Sequence, residues 1–248
     1  MVSPTTARLL SRGRTVLWLP FLAAILVLSG YAAYGATLYD GLPAVLPTHW
    51  GADGTPDAWS GKSFGTVFML LLTAAGVTVL MALIGALVTK LSVVAAGASD
   101  WERFRHEGTI RGTLAVLGFC ALVFSIMFGQ LSVAGWTQPE QFSGWPVVVG
   151  ILALLAALAG AFAVAQRWSR AAAGRAGIAP TSAERAEDDK WIAGILYNDP
   201  ADPHLWVPKR AGPGLGLTIN VGHRKGRVAV IVFLVLVIVL PFVLVLLS

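Results

Sequence analysis

At 248 residues, with 56% hydrophobic and only 12% charged side chains, the chain carries more apolar surface than a soluble protein of its length could cover. Its formal charge of +5 would suit a nucleic-acid partner, but the basic residues flank apolar runs, which marks membrane topology instead. The single cysteine, Cys120, lies inside an apolar run, so a disulfide framework and a thiolate metal cluster are both excluded.

Blocks of about 20 apolar residues match a hydrocarbon core roughly 30 Å thick, and backbone polar groups in lipid must pair within the segment. The expected fold class is therefore an all-α integral membrane protein with about five transmembrane helices. Met1 to Arg14 holds Arg8, Arg12 and Arg14 and no acid, which places the N-terminus in the cytoplasm. The first span covers residues 15–38. Its end, Tyr31-Ala-Ala-Tyr-Gly-Ala, would also suit signal-peptide cleavage, which changes the number of spans but not the side on which the next loop emerges. An outer loop, residues 39–62, leads to the second span at residues 63–89, with Ser60 or Ser63 as its N-cap.

Ser99-Asp-Trp-Glu-Arg-Phe-Arg-His-Glu-Gly reads as a charged cytoplasmic connection. The third and fourth spans follow within residues 111–166, joined by an outer loop in which Trp136 and Trp145 serve as interfacial anchors. Gln130, the most polar side chain within a span, is expected to form an interhelical hydrogen bond. Ala153, Ala157, Ala161 and Ala165 make a smooth ridge for close approach of another helix. Residues 167–189 read as a helix extension and flexible linker, and residues 190–226 as a small cytoplasmic unit. Short strands are expected there at Ile195–Tyr197, Leu205–Val207 and Leu217–Val221, separated by Asn-Asp-Pro and Gly-Pro-Gly turns. The last span, residues 227–248, has almost no small residues and should face lipid or pack loosely at the rim, leaving Ser248 outside. No Asp, Glu, Lys, Arg or His falls at depth in any expected span, which argues against a proton-driven carrier.

The chemistry-bearing residues of the outer loop are His49, Asp53 and Asp57, at four-residue spacing. Gly51, Gly54 and Pro56 rule out a regular helix, so the spacing does not put them on one face. Imidazole and carboxylates could hold a cation, but no HExxH pair or cysteine partner accompanies them, and a compact hydrogen-bonded cap is the simpler expectation. No metal, cofactor or catalytic residue is assigned. Neither His204 nor His223 has a metal-ligand neighbour at suitable spacing, and Trp206 beside Lys209-Arg210 forms no nucleic-acid motif.

Leu42-Pro43, Pro47-Thr48-His49-Trp50, Gly54-Thr55-Pro56-Asp57-Ala58-Trp59 and Lys62, set between two spans, resemble a widespread bacterial membrane domain of unknown function. That domain forms the N-terminal part of SdpI-type toxin-immunity proteins; here Trp50 stands where Phe is usual and Gly51 where Asn is usual. The resemblance covers residues 1–110. It implies a non-enzymatic immunity-type protein or envelope sensor in the cell membrane. Such a protein would bind a secreted peptide or envelope component outside and a regulatory protein inside. The signature residues Pro47, His49, Trp50, Asp53, Gly54, Pro56, Asp57, Trp59 and Lys62 would then be the binding candidates. Trp191, Gly194, Tyr197, Asn198, Asp202, Pro203, Val207, Pro208, Lys209, Arg210 and Asn220 resemble a second small domain of unknown function, which implies no chemistry. The C-terminal half differs from that of the immunity proteins, so two alternatives stay open: a permease or transporter subunit, and a membrane-bound metal-dependent enzyme using His49, Asp53 and Asp57.

Overall fold

The computed structural model describes residues 9–51, 55–140, 143–209 and 216–247. Six α-helices dominate it: α1 (Leu19–Leu38), α2 (Phe64–Leu91), α3 (Asp100–Thr137), α4 (Trp145–Arg175), α5 (Ser182–Asp188) and α6 (Arg224–Leu247). Between them lie three two-stranded antiparallel ladders: β1 (Val45–Trp50) with β2 (Pro56–Gly61), β3 (Trp191–Ile192) with β4 (Leu196–Tyr197), and β5 (Trp206–Pro208) with β6 (Leu217–Ile219). Among the described residues, five helical segments are long and apolar enough to cross a membrane. The chain is a multi-pass membrane protein. Along α6, Val228, Ile231, Phe233 and Leu236 are exposed, as expected of a span that faces lipid.

Contacts divide the chain into two compact units. One comprises residues 19–83, 117–156 and 234–248 and holds the β1–β2 hairpin. Its core is built from Leu28, Leu42, Leu46, Val67, Phe68, Leu71, Ala74 and Trp136. The indole of Trp136 donates to the Val67 carbonyl at 2.9 Å. Gly35 is required beneath that ring, because a Cβ there would stand 2.4 Å from it. Gln130 is exposed and makes no hydrogen bond among the described residues, so the expected interhelical bond does not form: its position on α3 turns the amide away from the packed face.

The other unit comprises residues 1–18, 84–116 and 157–233. Here α3 and α4 approach closely. A Cβ on Gly108 would lie 3.2 Å from the Ala165 carbonyl, and one on Gly112 would lie 2.7 Å from the Phe162 ring. Ala165, the last residue of the alanine ridge, thus meets a Gly108-x-x-x-Gly112 face, a small-residue contact of the kind that lets membrane helices approach closely.

Residues 99–108 are not a connecting segment. They form the first turns of α3, started by a capping box in which Ser99 Oγ accepts the Glu102 N–H (3.1 Å) and the Glu102 carboxylate accepts the Ser99 N–H (2.9 Å). At 38 residues, α3 is roughly 57 Å long, well beyond a bilayer core. The helix extension expected after residue 166 is present, since α4 continues to Arg175. The stretch beyond it, expected to be a flexible linker, holds α5, which opens on a second capping box between Thr181 and Glu184. The three expected strands are present, two of them shorter and β5 displaced by one residue, and a fourth was not expected: Trp191–Ile192 pairs with Leu196–Tyr197 across a tight turn in which Ala193 and Gly194 both take positive φ.

Candidate functional site

The outer-loop signature folds as a hairpin. β1 and β2 pair from Val45↔Gly61 to Trp50↔Pro56, with irregular register on both sides of His49. At its tip the Gly51 N–H donates to the Thr55 carbonyl at 2.8 Å. Pro47 and Leu46 are buried and turn β1 toward the core, whereas β2 is exposed from Asp57 to Gly61.

Lys62 closes the base of the hairpin. Its ammonium lies 3.3, 3.3 and 2.9 Å from the carbonyls of Tyr39, Asp40 and Leu42, and sits over the Tyr39 ring at 5.5 Å. A cation among the carbonyls of the turn that follows α1 satisfies acceptors there and stands near the negative end of the helix dipole. The signature lysine is a staple. Trp50 makes a second attachment: its indole donates to the Pro139 carbonyl at 3.0 Å, tying the hairpin to the segment after α3. Ser63 caps α2 by accepting the Thr66 N–H.

His49 and Asp57 meet across the hairpin, Nδ1 to Oδ1 at 2.6 Å, with side chains 69% and 51% exposed. Trp59 is 51% exposed on the outer strand. Asp53 and Gly54 lie outside the described residues. Among the described residues no three His, Cys, Asp or Glu side chains converge as a metal site would require. Two exposed groups in contact can recognise a partner, but the attraction between them contributes less than about 1 kcal/mol.

The second signature folds as a knot around Asn220, which is fully buried. Its amide oxygen accepts the Asp199 and Gly222 N–H groups (3.1 and 2.9 Å), and its amide nitrogen donates to the carbonyls of Asp199, Asp202 and His204. One side chain therefore fixes three successive turns. Trp191 packs edge-on against Tyr197, with ring centroids 5.2 Å apart, and the Tyr197 hydroxyl donates to Asp199 and Asp202. Burial, then the Asp199 charge, pushes the Tyr197 hydroxyl up to about 12. Asp199 is held below its ordinary range by the Ala201 N–H and Lys190, and Asp202 by the N–H and ring of His204.

The remaining signature positions have simple placements. The Asn198 N–H donates to the Lys190 carbonyl, and Val207 is half-buried on β5. Pro203, Pro208 and Lys209 are exposed, and Arg210 lies outside the described residues.

A buried ion network escaped the sequence reading. Glu107 bonds Arg14 through both oxygens and Arg111 at 2.9 Å. Arg111 also donates to the carbonyls of Leu10 and Arg12 and stacks on Trp168 at 3.7 Å. The legible signal was the Ser99-x-x-Glu102 box. It starts a helix there, and a helix places Glu107 and Arg111 at i,i+4 on one face.

Comparison with protein families gives one match. Residues 24–74 match the family described as Domain of unknown function (DUF1648). The DUF1648 segment runs from α1 through the whole hairpin into α2, so it takes in the Lys62 staple and the His49–Asp57 pair. No curated protein and no solved structure matches the chain.

Proposed function

We propose that this protein is a non-enzymatic envelope sensor or immunity-type protein of the cell membrane. In this reading the DUF1648 hairpin binds a peptide or envelope component outside, and the Asn220 unit docks a regulatory protein inside. The observation that carries it is the construction of the hairpin. Its base is fixed by Lys62 and Trp50, while β2 presents Asp57, Trp59 and Ser60 outward. Each strand of the ladder has only one partner among the described residues, so β2 keeps an open edge. An extended peptide can add to such an edge through main-chain hydrogen bonds, with Trp59 and the His49–Asp57 pair supplying side-chain discrimination.

Photo-crosslinking in living cells tests this. A photoreactive residue at Ser60 should capture a peptide or envelope component, whereas the same residue at Leu83 in α2 should capture lipid. Identical products from both positions would sink the proposal. A cysteine at Asp57 in a Cys120→Ala background should react with a membrane-impermeant maleimide added outside; reaction only after lysis would reverse the orientation.

A further inference from the structure

The unit that contains the Asn220 knot also encloses a cavity of about 490 Å³, bounded by α3, α4, the β3–β4 turn and the β5–β6 ladder. Its volume falls in the range of small-molecule sites. The walls change character along the helices. Leu158 and Phe162 of α4, with Trp191 and Ile195 of the strand unit, provide an apolar side. One to two turns further along, Gln166 and Ser169 of α4 and Arg105, His106 and Thr109 of α3 provide a polar one, with Lys209 contributed by the strand unit. Among the described residues, Arg105 and Lys209 are the charged residues of the lining, and it includes no carboxylate. His106 is buried on this wall, and its Nε2 has no hydrogen-bond partner among the described residues.

This change of character occurs where both helices pass from apolar to charged sequence. α3 carries its charges up to Arg111 and is apolar beyond, while α4 is apolar up to Ala165 and then reads Gln166-Arg167. In a membrane-spanning helix that transition marks headgroup depth. A cavity there, cationic at its polar end and apolar at the other, matches a molecule with an anionic head and a hydrocarbon tail. We propose that this cavity binds a single anionic amphiphile, a phospholipid whose phosphate meets Arg105 and Lys209 and whose acyl chain lies along Leu158 and Phe162. Arg105 already pairs with Asp188 at 3.6 Å and Glu102 at 3.9 Å, which hold its guanidinium in place as a hydrogen-bond donor; Lys209 is exposed and supplies the charge a headgroup can recruit. The inference uses no residue of the hairpin and is independent of what the hairpin binds.

The test is thermal unfolding of the purified full chain in a neutral detergent, with short-chain phosphatidylglycerol, short-chain phosphatidylcholine or inorganic phosphate added. Phosphatidylglycerol at about a hundredfold excess over Kd should raise Tm on the order of 5 °C, saturably, and the other two should not. Lys209→Glu should abolish the rise, and so should Thr109→Phe, which fills the cavity. Lys225→Glu, the same charge change on α6 away from the lining, should retain it. Equal shifts with phosphatidylcholine would reduce the effect to ordinary solvation by lipid, and an equal shift with inorganic phosphate would show a plain anion site. Loss of the rise in Lys225→Glu, or no rise in the parent protein, would equally overturn the proposal. If Thr109→Phe does not fold, Lys209→Glu against Lys225→Glu decides alone.

Discussion

Replacing Glu107 by Gln should destabilise the protein by about 3–5 kcal/mol, the cost of removing one partner from a buried ion pair. The size follows from what is left behind. The Glu107 and Arg111 side chains are 5% and 7% exposed, and Arg111 is boxed in by the Leu10 and Arg12 carbonyls and the Trp168 ring. Without the carboxylate, Arg111 keeps two carbonyl acceptors and a π face, which do not neutralise its charge. Arg14, 31% exposed, can turn to water and adds little. The control is Asp100→Asn, whose pairing with Arg103 at 3.7 Å is largely exposed and should cost less than about 1 kcal/mol. Denaturant unfolding in detergent micelles, followed by tryptophan fluorescence, gives both numbers. Proteolysis near Arg12 should also speed up in Glu107→Gln, because the network pins residues 10–14 to α3. A Glu107→Gln loss no larger than that of Asp100→Asn would refute the claim that the network is desolvated. The double variant Glu107→Leu/Arg111→Met should recover most of the loss, since an apolar pair strands no charge.

Other outcomes can be stated more briefly. Asn220→Ala should unfold the strand unit selectively: the Asp199 and Gly222 N–H groups and three carbonyls lose their partner, at about 1–3 kcal/mol for each group left unsatisfied. The near-ultraviolet dichroism of Trp191 should fall while helicity is kept. Lys62→Met should loosen the hairpin by roughly 1.5–3 kcal/mol, the value of a hydrogen bond to a charged group, seen as faster amide exchange at the Lys62 and Gly51 N–H groups. Raising the Tyr197 hydroxyl from 10.0 to about 12 makes its neutral form the stabilising one. That contribution is complete below pH 10 and is lost as the pH rises through about 12, so a phenolate titration should show a late step that is missing in Tyr197→Phe. Asp199 and Asp202 act in the opposite sense: their contribution is present above about pH 4 and disappears as the pH falls below it.

Span number and helical class were legible because a bilayer imposes length and composition together, and no soluble alternative tolerates five such runs. The hairpin was harder to see. Gly51, Gly54 and Pro56 announce a turn, but β1 and β2 are too short and too polar to show a clean two-residue alternation, and the ladder depends on the Lys62 staple from outside it. The start of α3 was hidden for a different reason. A run such as Asp-Trp-Glu-Arg-Phe-Arg-His-Glu looks solvated by composition, yet helical geometry turns Phe104, Glu107 and Arg111 inward together while Asp100, Glu102 and Arg103 stay at the rim. Charge count describes the first group poorly, because tertiary pairing sets its burial. Asn220 was visible only as a signature letter; that it holds three turns depends on contacts reaching 21 residues along the chain.

The polar side chains within the spans bear on the transport alternative. Ser125 donates to the Ala121 carbonyl, Ser132 to Phe128, Thr73 to Met69 and Thr137 to Val133, each four residues back on its own helix. A hydroxyl used in this way needs neither water nor substrate to be satisfied at depth, and it leaves the helix surface effectively apolar. Thr78 and Ser125, both buried, face each other at 3.4 Å and join two helices. Gln130, exposed on α3, keeps an unbonded amide within a span; among the described residues, other groups with unspent hydrogen-bonding or charge capacity stand outside the spans, with His49 and Asp57 on the hairpin and Lys209 and the His106 Nε2 at the cavity. Most of this unspent capacity stands where the helices meet polar surroundings, and the hydroxyls within the spans are bonded to their own helices.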